Sequence, residues 1–197
     1  MANDHYYTQD PASAHDVRTF SFTFEGRTLS FTTDAGVFSK GHVDPGTLLL
    51  ARSLPADLAG RALDLGCGWG ALSVLTLCRF PQLDLVMSDV NRRALDLAQQ
   101  NVRANGMAAQ AVLSDGLQAV EGMFDVVLTN PPIRAGKQVI YAMFADSRAR
   151  LNPGGRLILV IRKQQGAPSA QKYLSTLFGQ VELLARDAGY WILCCTA

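Results

Sequence analysis

No apolar run in this sequence approaches the roughly 20 residues that cross a bilayer, and even Leu157-Ile158-Leu159-Val160-Ile161 stops far short. No membrane span and no membrane partner are expected. The opening Met1-Ala2-Asn3-Asp4-His5-Tyr6 lacks the basic segment and apolar core of a secretory signal, which makes the cytoplasm the expected compartment. Cys67, Cys78, Cys194 and Cys195 contain no CxxC pair, and His5, His15 and His42 are scattered without ligand-like spacing to them. Buried reduced thiols are expected, and no metal site. Internal repeats and low-complexity tracts are also missing, which removes solenoids and disordered linkers from consideration. The net charge of +1 has no strong sign.

What is present suits one ordinary domain. The 197 residues are 48% hydrophobic, enough for a single buried core. Charge is unevenly spread: Met1 to Gly46 holds three Lys/Arg and six Asp/Glu, whereas Arg134 to Lys172 holds eight basic residues against Asp146 alone. That excess suits either a polyanionic partner or a solvated surface.

The order of elements is more informative. Thr19-Phe20-Ser21-Phe22-Thr23-Phe24 and Leu29-Ser30-Phe31-Thr32 alternate around a Glu25-Gly26 turn, predicting a hairpin. Asp44 is placed to cap a helix that has Pro45 at its first position and runs through Leu48-Leu49-Leu50 toward Leu54. From Arg61 onward short apolar strands alternate with amphipathic helices, the pattern of βαβ units in a parallel sheet. Strands are predicted at 62–65, 83–88, 111–113, 126–129, 156–161, 181–186 and 190–196, and helices near 71–79, 92–105, 139–151 and 170–178. The tight Asp187-Ala188-Gly189 link is too short for a helical crossover, so the last two strands should pair antiparallel. The expected fold is α/β: a Rossmann-like, mostly parallel sheet with an antiparallel C-terminal hairpin strand and helices on both faces. An N-terminal extension with the hairpin, residues 1–35, is expected to precede one domain over 36–197.

Asp64-Leu65-Gly66-Cys67-Gly68-Trp69-Gly70 joins a predicted strand to a predicted helix. Glycines there let the chain turn sharply and let a ligand approach the backbone. The spacing is GxGxG and not the GxGxxG of dinucleotide sites, which favours a nucleoside-like ligand without phosphates. Asp89, followed by Val90, ends the next strand, where a carboxylate can accept from two ribose hydroxyls; a helix cap is the competing role. Asp115-Gly116 follows the third strand at the same sheet edge, as a third acceptor or as an ordinary turn.

Thr129-Asn130-Pro131-Pro132-Ile133 closes the fourth strand. The prolines stiffen the loop and remove two N–H donors while leaving carbonyls available. The Asn130 side-chain oxygen and the Pro131 carbonyl would form a rigid pair of acceptors for the two hydrogens of a planar NH2. That grip favours a pyramidal nitrogen aimed at an electrophile. Transfer of a methyl group from a sulfonium needs little beyond such positioning.

These residues together resemble the class I S-adenosylmethionine-dependent methyltransferases. Asp64 to Gly70 stands as the glycine motif, Asp89 as the ribose acid, Asp115 at the adenine and Asn130-Pro131-Pro132 as the amino-methyltransferase motif. Within that class the chain from about Gly36 onward is similar to the small methyltransferase domain of the small-subunit ribosomal RNA guanine-N2 methyltransferases. The strings that carry this likeness are Gly36-Val37-Phe38-Ser39, Asp44-Pro45-Gly46-Thr47, Asp89-Val90-Asn91-Arg92-Arg93-Ala94, Asn130-Pro131-Pro132-Ile133-Arg134-Ala135-Gly136-Lys137 and Arg162-Lys163-Gln164-Gln165-Gly166.

The resemblance implies S-adenosylmethionine as cofactor, held by Asp64, Gly66, Gly68, Gly70, Asp89, Val90, Asp115, Gly116 and Asn130. It implies guanine N2 as nucleophile at Asn130, Pro131 and Pro132, and RNA, ribosomal RNA or the small ribosomal subunit, as partner. Phe38, Ile133, Arg134, Lys137, Arg162 and Lys163 are the substrate-side candidates, with Phe38 either stacking on the base or filling the core. Two departures stand out. Ile133 occupies the place where many amino-methyltransferases carry an aromatic residue, and only about 35 residues precede Phe38 where familiar members carry a duplicated domain. A methyltransferase of a small molecule or protein amide, or an inactive cofactor-binding module of the same fold, is the alternative. The oligomeric state is left open.

Overall fold

The computed structural model describes residues 14–197. The readings of Met1 to Tyr6 and of His5 lie outside the described residues. Among these residues nine strands and five α-helices follow in the order β1 (Arg18–Phe24), β2 (Arg27–Thr33), α1 (Pro45–Ser53), β3 (Arg61–Leu65), α2 (Ala71–Arg79), β4 (Asp84–Asp89) and α3 (Arg92–Ala104). They continue as β5 (Gln110–Leu113), β6 (Phe124–Thr129), α4 (Lys137–Ala149), β7 (Leu151–Arg162), α5 (Ala167–Leu177), β8 (Gln180–Asp187) and β9 (Tyr190–Thr196). Seven strands form one sheet in the order β5-β4-β3-β6-β7-β9-β8, parallel as far as β7 and antiparallel across β7, β9 and β8.

The near-continuous apolar strands are explained by burial on both faces. In β7, Ile158 and Val160 enter the core under α1, α2 and α3, whereas Leu157, Leu159 and Ile161 enter the one under α4 and α5. The period-2 alternation places the adjacent Cys194 and Cys195 of β9 in opposite cores, so neither can pair with the other. All four cysteines are free thiols. Asp44 caps α1 by accepting the Thr47 N–H at 2.9 Å, with Pro45 at the first position.

One boundary differs from expectation. The helix predicted to reach Leu151 ends at Ala149, because Leu151 already pairs with Phe124 and opens β7. The next pair in register is Val126 with Arg156, and the extra residues Asn152-Pro153-Gly154-Gly155 form a bulge between them. Gly155 is required there, since a Cβ would lie 2.9 Å from the Asn152 carbonyl oxygen and 3.1 Å from that of Phe124.

The β1–β2 hairpin is a separate two-stranded sheet, yet its Phe24, Leu29 and Phe31 belong to the same core as α1, α2 and α3. Its edge is covered by a helix. From α3, Asn101 accepts the Thr32 N–H (2.7 Å) and donates to the Thr32 carbonyl (2.9 Å); Asn105 does the same for Ser30 at 2.9 and 2.8 Å. Four helical residues rise about 6 Å and two strand residues about 6.6 Å, so side-chain amides at i and i+4 match backbone groups at i and i+2. The two asparagines therefore act as a substitute strand, satisfying an edge that would otherwise be free to pair elsewhere.

Asn101 carries a further load, donating to the Trp69 carbonyl at 2.8 Å in a buried setting. Replacing it by alanine orphans three backbone groups, and Asn101→Ala is expected to destabilise the protein by about 3 kcal/mol. Asn105→Ala, at a half-buried position, should cost about 1 kcal/mol or less. Urea denaturation at a shared m-value checks the contrast, and equal losses would refute the buried anchor.

Candidate active site

The carboxyl ends of β3, β4, β5 and β6 open into a cavity of about 450 Å³, in the size range of small-molecule sites. Its floor is the turn after β3. Gly66 and Cys67 donate their N–H groups to the Ser88 carbonyl at 2.8 and 2.9 Å, and Gly68 donates to Asp89 Oδ2 at 2.8 Å. Three consecutive N–H groups of the turn are thereby spent on the protein itself and are not offered to a pyrophosphate. The mismatch with the dinucleotide spacing now has a structural cause. At Gly66, Gly68 and Gly116 φ is positive and nothing lies within 4 Å of where a Cβ would be, so the backbone is open to a ligand there.

Gly70 behaves differently. A Cβ there would lie 2.9 Å from Ala98 Cα, so this glycine lets α2 approach α3 and is absent from the cavity wall. The cap of α3 is Asn91, which accepts the Ala94 N–H at 3.0 Å. Asp89 is therefore not the cap; its Oδ1 accepts the Asn91 N–H at 2.8 Å, and with the Gly68 and Val90 N–H groups also bonded to it the carboxylate keeps acceptor capacity for a ligand.

Among the described residues four carboxylates line the cavity, Asp44, Asp64, Asp89 and Asp115, against the single cation Arg134. Such a wall favours a positively charged ligand and opposes an anionic one. Asp64 is buried and takes a hydrogen bond from Ser73 Oγ at 2.5 Å. Desolvation, opposed by Ser73 and reinforced by the Asp89 charge, pushes its pKa up to about 7. Burial raises Asp89 as well, and it raises the thiol of Cys67 between them.

Asn130 stands at the end of β6, which Thr129 ties to β3 by donating to the Leu65 carbonyl at 2.8 Å. Its Nδ2 donates to Thr47 Oγ1 at 2.9 Å and to Asp44 Oδ2 at 3.2 Å. Pro132 lines the cavity and its carbonyl accepts the Ala135 N–H at 2.8 Å, whereas Pro131 is buried and outside the wall. Phe38 is 41% exposed at the cavity wall, not a core residue, and its carbonyl accepts the Trp69 indole N–H at 2.7 Å.

The remaining predicted residues divide. Val90, Asp115, Gly116 and Arg134 line the cavity; Ile133, Lys137, Arg162 and Lys163 do not. Lys137 sits over the Tyr141 ring at 5.0 Å, and Arg162 stacks on Tyr190 at 4.4 Å and bonds its hydroxyl. The sequence reading missed Thr47, Trp69, Ser114, Val139 and Met143 in the wall and treated Asp44 only as a cap. Among the described residues no group of three or more His, Cys, Asp or Glu could hold a metal ion, and no helix is long and apolar enough to cross a membrane.

Comparison with known proteins fits this geometry. Residues 28–194 match the family described as methyltransferase small domain. The chain belongs to that family. The members use S-adenosylmethionine, and the open glycine turn, the free acceptors of Asp89 and the acidic wall could hold that cationic nucleoside. The chain is 39% identical over 195 residues to the uncharacterized protein YbxB of Bacillus subtilis, covering 97% of each. It is 35% identical over 159 residues to ribosomal RNA small subunit methyltransferase C of Shewanella amazonensis, covering 79% of this chain and 46% of that one. A solved Thermus thermophilus structure, the 16S rRNA N2 G1207 methyltransferase with AdoMet and guanosine, matches with a TM-score of 0.81 at 30% identity. It covers 94% of this chain, which spans 52% of it. The chain thus has about half the length of the ribosomal RNA relatives it matches. A Pyrococcus furiosus methyltransferase at 23% identity and a TM-score of 0.67 shares the fold.

The carboxylates give the methyltransferase a measurable pH signature. Asp64, with its folded pKa above the ordinary 3.8, holds a proton that the unfolded chain releases. Its contribution to stability is full below about pH 4 and is lost as pH rises through 7. Asp16, Asp34, Asp57 and Asp125 are shifted down and act in the opposite sense, below about 3.8. The urea midpoint should therefore fall between pH 5 and pH 8, and Asp64→Asn should flatten that fall. An unchanged slope in the variant would remove Asp64 as its source.

Proposed function

We propose that this methyltransferase acts on an exocyclic planar NH2, the N2 of guanine in ribosomal RNA, presented unstacked as naked RNA or in the small subunit. The reading is carried by the position of Asn130 and Pro132, just after β6 on the wall of the cavity that also holds the glycine turn and Asp89. It is supported by the Thermus relative, whose structure includes guanosine.

S-adenosylmethionine, when bound, supplies a methyl group made electrophilic by the attached sulfonium. The protein's own residues position the acceptor. Asn130 Oδ1 receives one hydrogen of the NH2 and the Pro131 carbonyl the other. Drawing both hydrogens to one side turns the nitrogen lone pair toward the cofactor end of the cavity. Asp89 and Asp115 would hold the nucleoside of the cofactor, and Asp64 would offset its positive charge. Phe38, exposed on the wall, offers a stacking face that Ile133 cannot, and Arg134, Lys137, Arg162 and Lys163 supply cations for phosphates. A base must leave its stack to enter such a cavity, which favours loop or single-stranded positions.

Transfer of labelled methyl to undermethylated small ribosomal subunits, followed by nucleoside analysis, is expected to yield N2-methylguanosine. Label on protein alone, or on another nucleoside, would overturn the acceptor. Asn130→Ala should bind S-adenosylmethionine in calorimetry yet lose turnover by about 10²- to 10³-fold.

A further inference from the structure

We infer that Asp44 and Thr47, on the first turn of α1, are positioning residues that lock the Asn130 amide with its oxygen toward the cavity and so select an NH2 donor. The inference rests on the reading of Asn130 as the group that receives the acceptor nitrogen.

An asparagine amide is nearly symmetric in shape, and a flip about its last torsion exchanges an acceptor for a donor. Only its partners decide which end faces the ligand. Here Nδ2 has two hydrogens, and the structure gives them two acceptors, Thr47 Oγ1 at 2.9 Å and Asp44 Oδ2 at 3.2 Å. The carboxylate can only accept, so a flipped amide would set oxygen against oxygen. Thr47 is fixed in the same sense, because its hydroxyl hydrogen goes to Asp44 Oδ2 at 3.4 Å and its lone pair faces Nδ2. The network closes with one proton arrangement. Nδ2 is held by its two acceptors, and Oδ1 is left to meet the ligand.

The arrangement is held from behind. Asp44 Oδ2 also caps α1 through the Thr47 N–H at 2.9 Å. Tyr190 of β9 packs so closely on this turn that a Cβ at Gly46 would lie 2.7 Å from its Cε1. A cavity that presents an acceptor here welcomes a donor and repels a carbonyl or ring-nitrogen lone pair. On a guanine this discriminates the NH2 edge from the carbonyl edge.

Capping and orienting can be separated by choice of substitution. Asn and Ser rival Asp as N-caps, so Asp44→Asn and Asp44→Ser should melt alike. They differ in reach, because an Asn oxygen can occupy the place of Oδ2 and accept from Asn130, whereas a Ser hydroxyl is shorter and can donate. With undermethylated small subunits as acceptor, kcat should fall about tenfold or more in Asp44→Ser and in Thr47→Val. Asp44→Asn should recover most of the rate, to within about threefold of wild type. Calorimetric affinity for S-adenosylmethionine should fall alike in Asp44→Asn and Asp44→Ser, which lose the same wall charge, so the difference in kcat between them reads the orientation of Asn130 alone. Equal kcat in the Asn and Ser variants would sink the inference.

NMR on the ligand-free protein reads the lock without any acceptor. The Asn130 Nδ2 hydrogens, assigned by their loss in Asn130→Ala, should exchange slowly in the wild type and quickly in Thr47→Val. Exchange at the rate of an exposed amide in the wild type would overturn the inference and leave the proposed function standing. Failure of the wild type to methylate RNA would strike the acceptor assignment, and amide exchange would still decide the lock.

Discussion

The chain leaving β3 must reverse into α2 within a few residues while exposing bare backbone, and the rest of the site depends on how that turn is held. Ser88 and Asp89, at the end of the neighbouring strand, take the three N–H groups of Gly66, Cys67 and Gly68. Asn101 takes the Trp69 carbonyl just beyond. Trp69 in turn packs edge-on against Phe20 and Phe31 of the hairpin, with centroids 5.9 and 5.3 Å apart, and holds the Phe38 carbonyl. A local reversal of direction thus fixes the hairpin, the third helix and the mouth of the cavity in one frame.

The same turn is electrostatically uneasy. Asp64 lies beneath it with no cation near enough to offset its charge, and Asp89 adds repulsion in place of relief. The buried Asp64 and the half-buried Asp89 disfavour each other's ionised forms, which lowers the stability of the empty protein near neutrality. A cation placed over them would reverse the balance, so that binding and folding stability would be linked through the same carboxylates.

Much of this was legible in the sequence, for identifiable reasons. The strands are short, apolar and bounded by turn residues, so the positions of β3 to β9 followed from pattern alone; the Asp187-Ala188-Gly189 link dictated the antiparallel end. The cavity wall was found where glycines and acids follow strands, because the topology of a parallel sheet brings those ends together. What escaped were residues with two roles. Asp44 satisfies every expectation of a helix cap and so gives no sign that it also reaches Asn130, 86 positions away. Asn101 and Asn105 read as ordinary polar positions on an amphipathic helix, since nothing local marks them as partners of strand backbone. Gly70 erred the other way: it shares its motif with ligand-facing glycines, but its space is filled by Ala98. The bulge at Asn152-Pro153-Gly154-Gly155 hid the true start of β7 because the paired residue lies on its far side.

The place of β9 has a consequence for how such a chain folds. It is the last strand in sequence, yet it lies inside the sheet between β7 and β8 and carries Tyr190 against the first turn of α1. The parallel strands β3 to β6 pair without it, but β8 joins the sheet only through β9. Closure of the sheet, and with it the buttress behind Asp44 and Asn130, therefore depends on β9. Contacts between segments so far apart in sequence are slow to form, so the turn that carries Asp44 is buttressed only when the sheet closes.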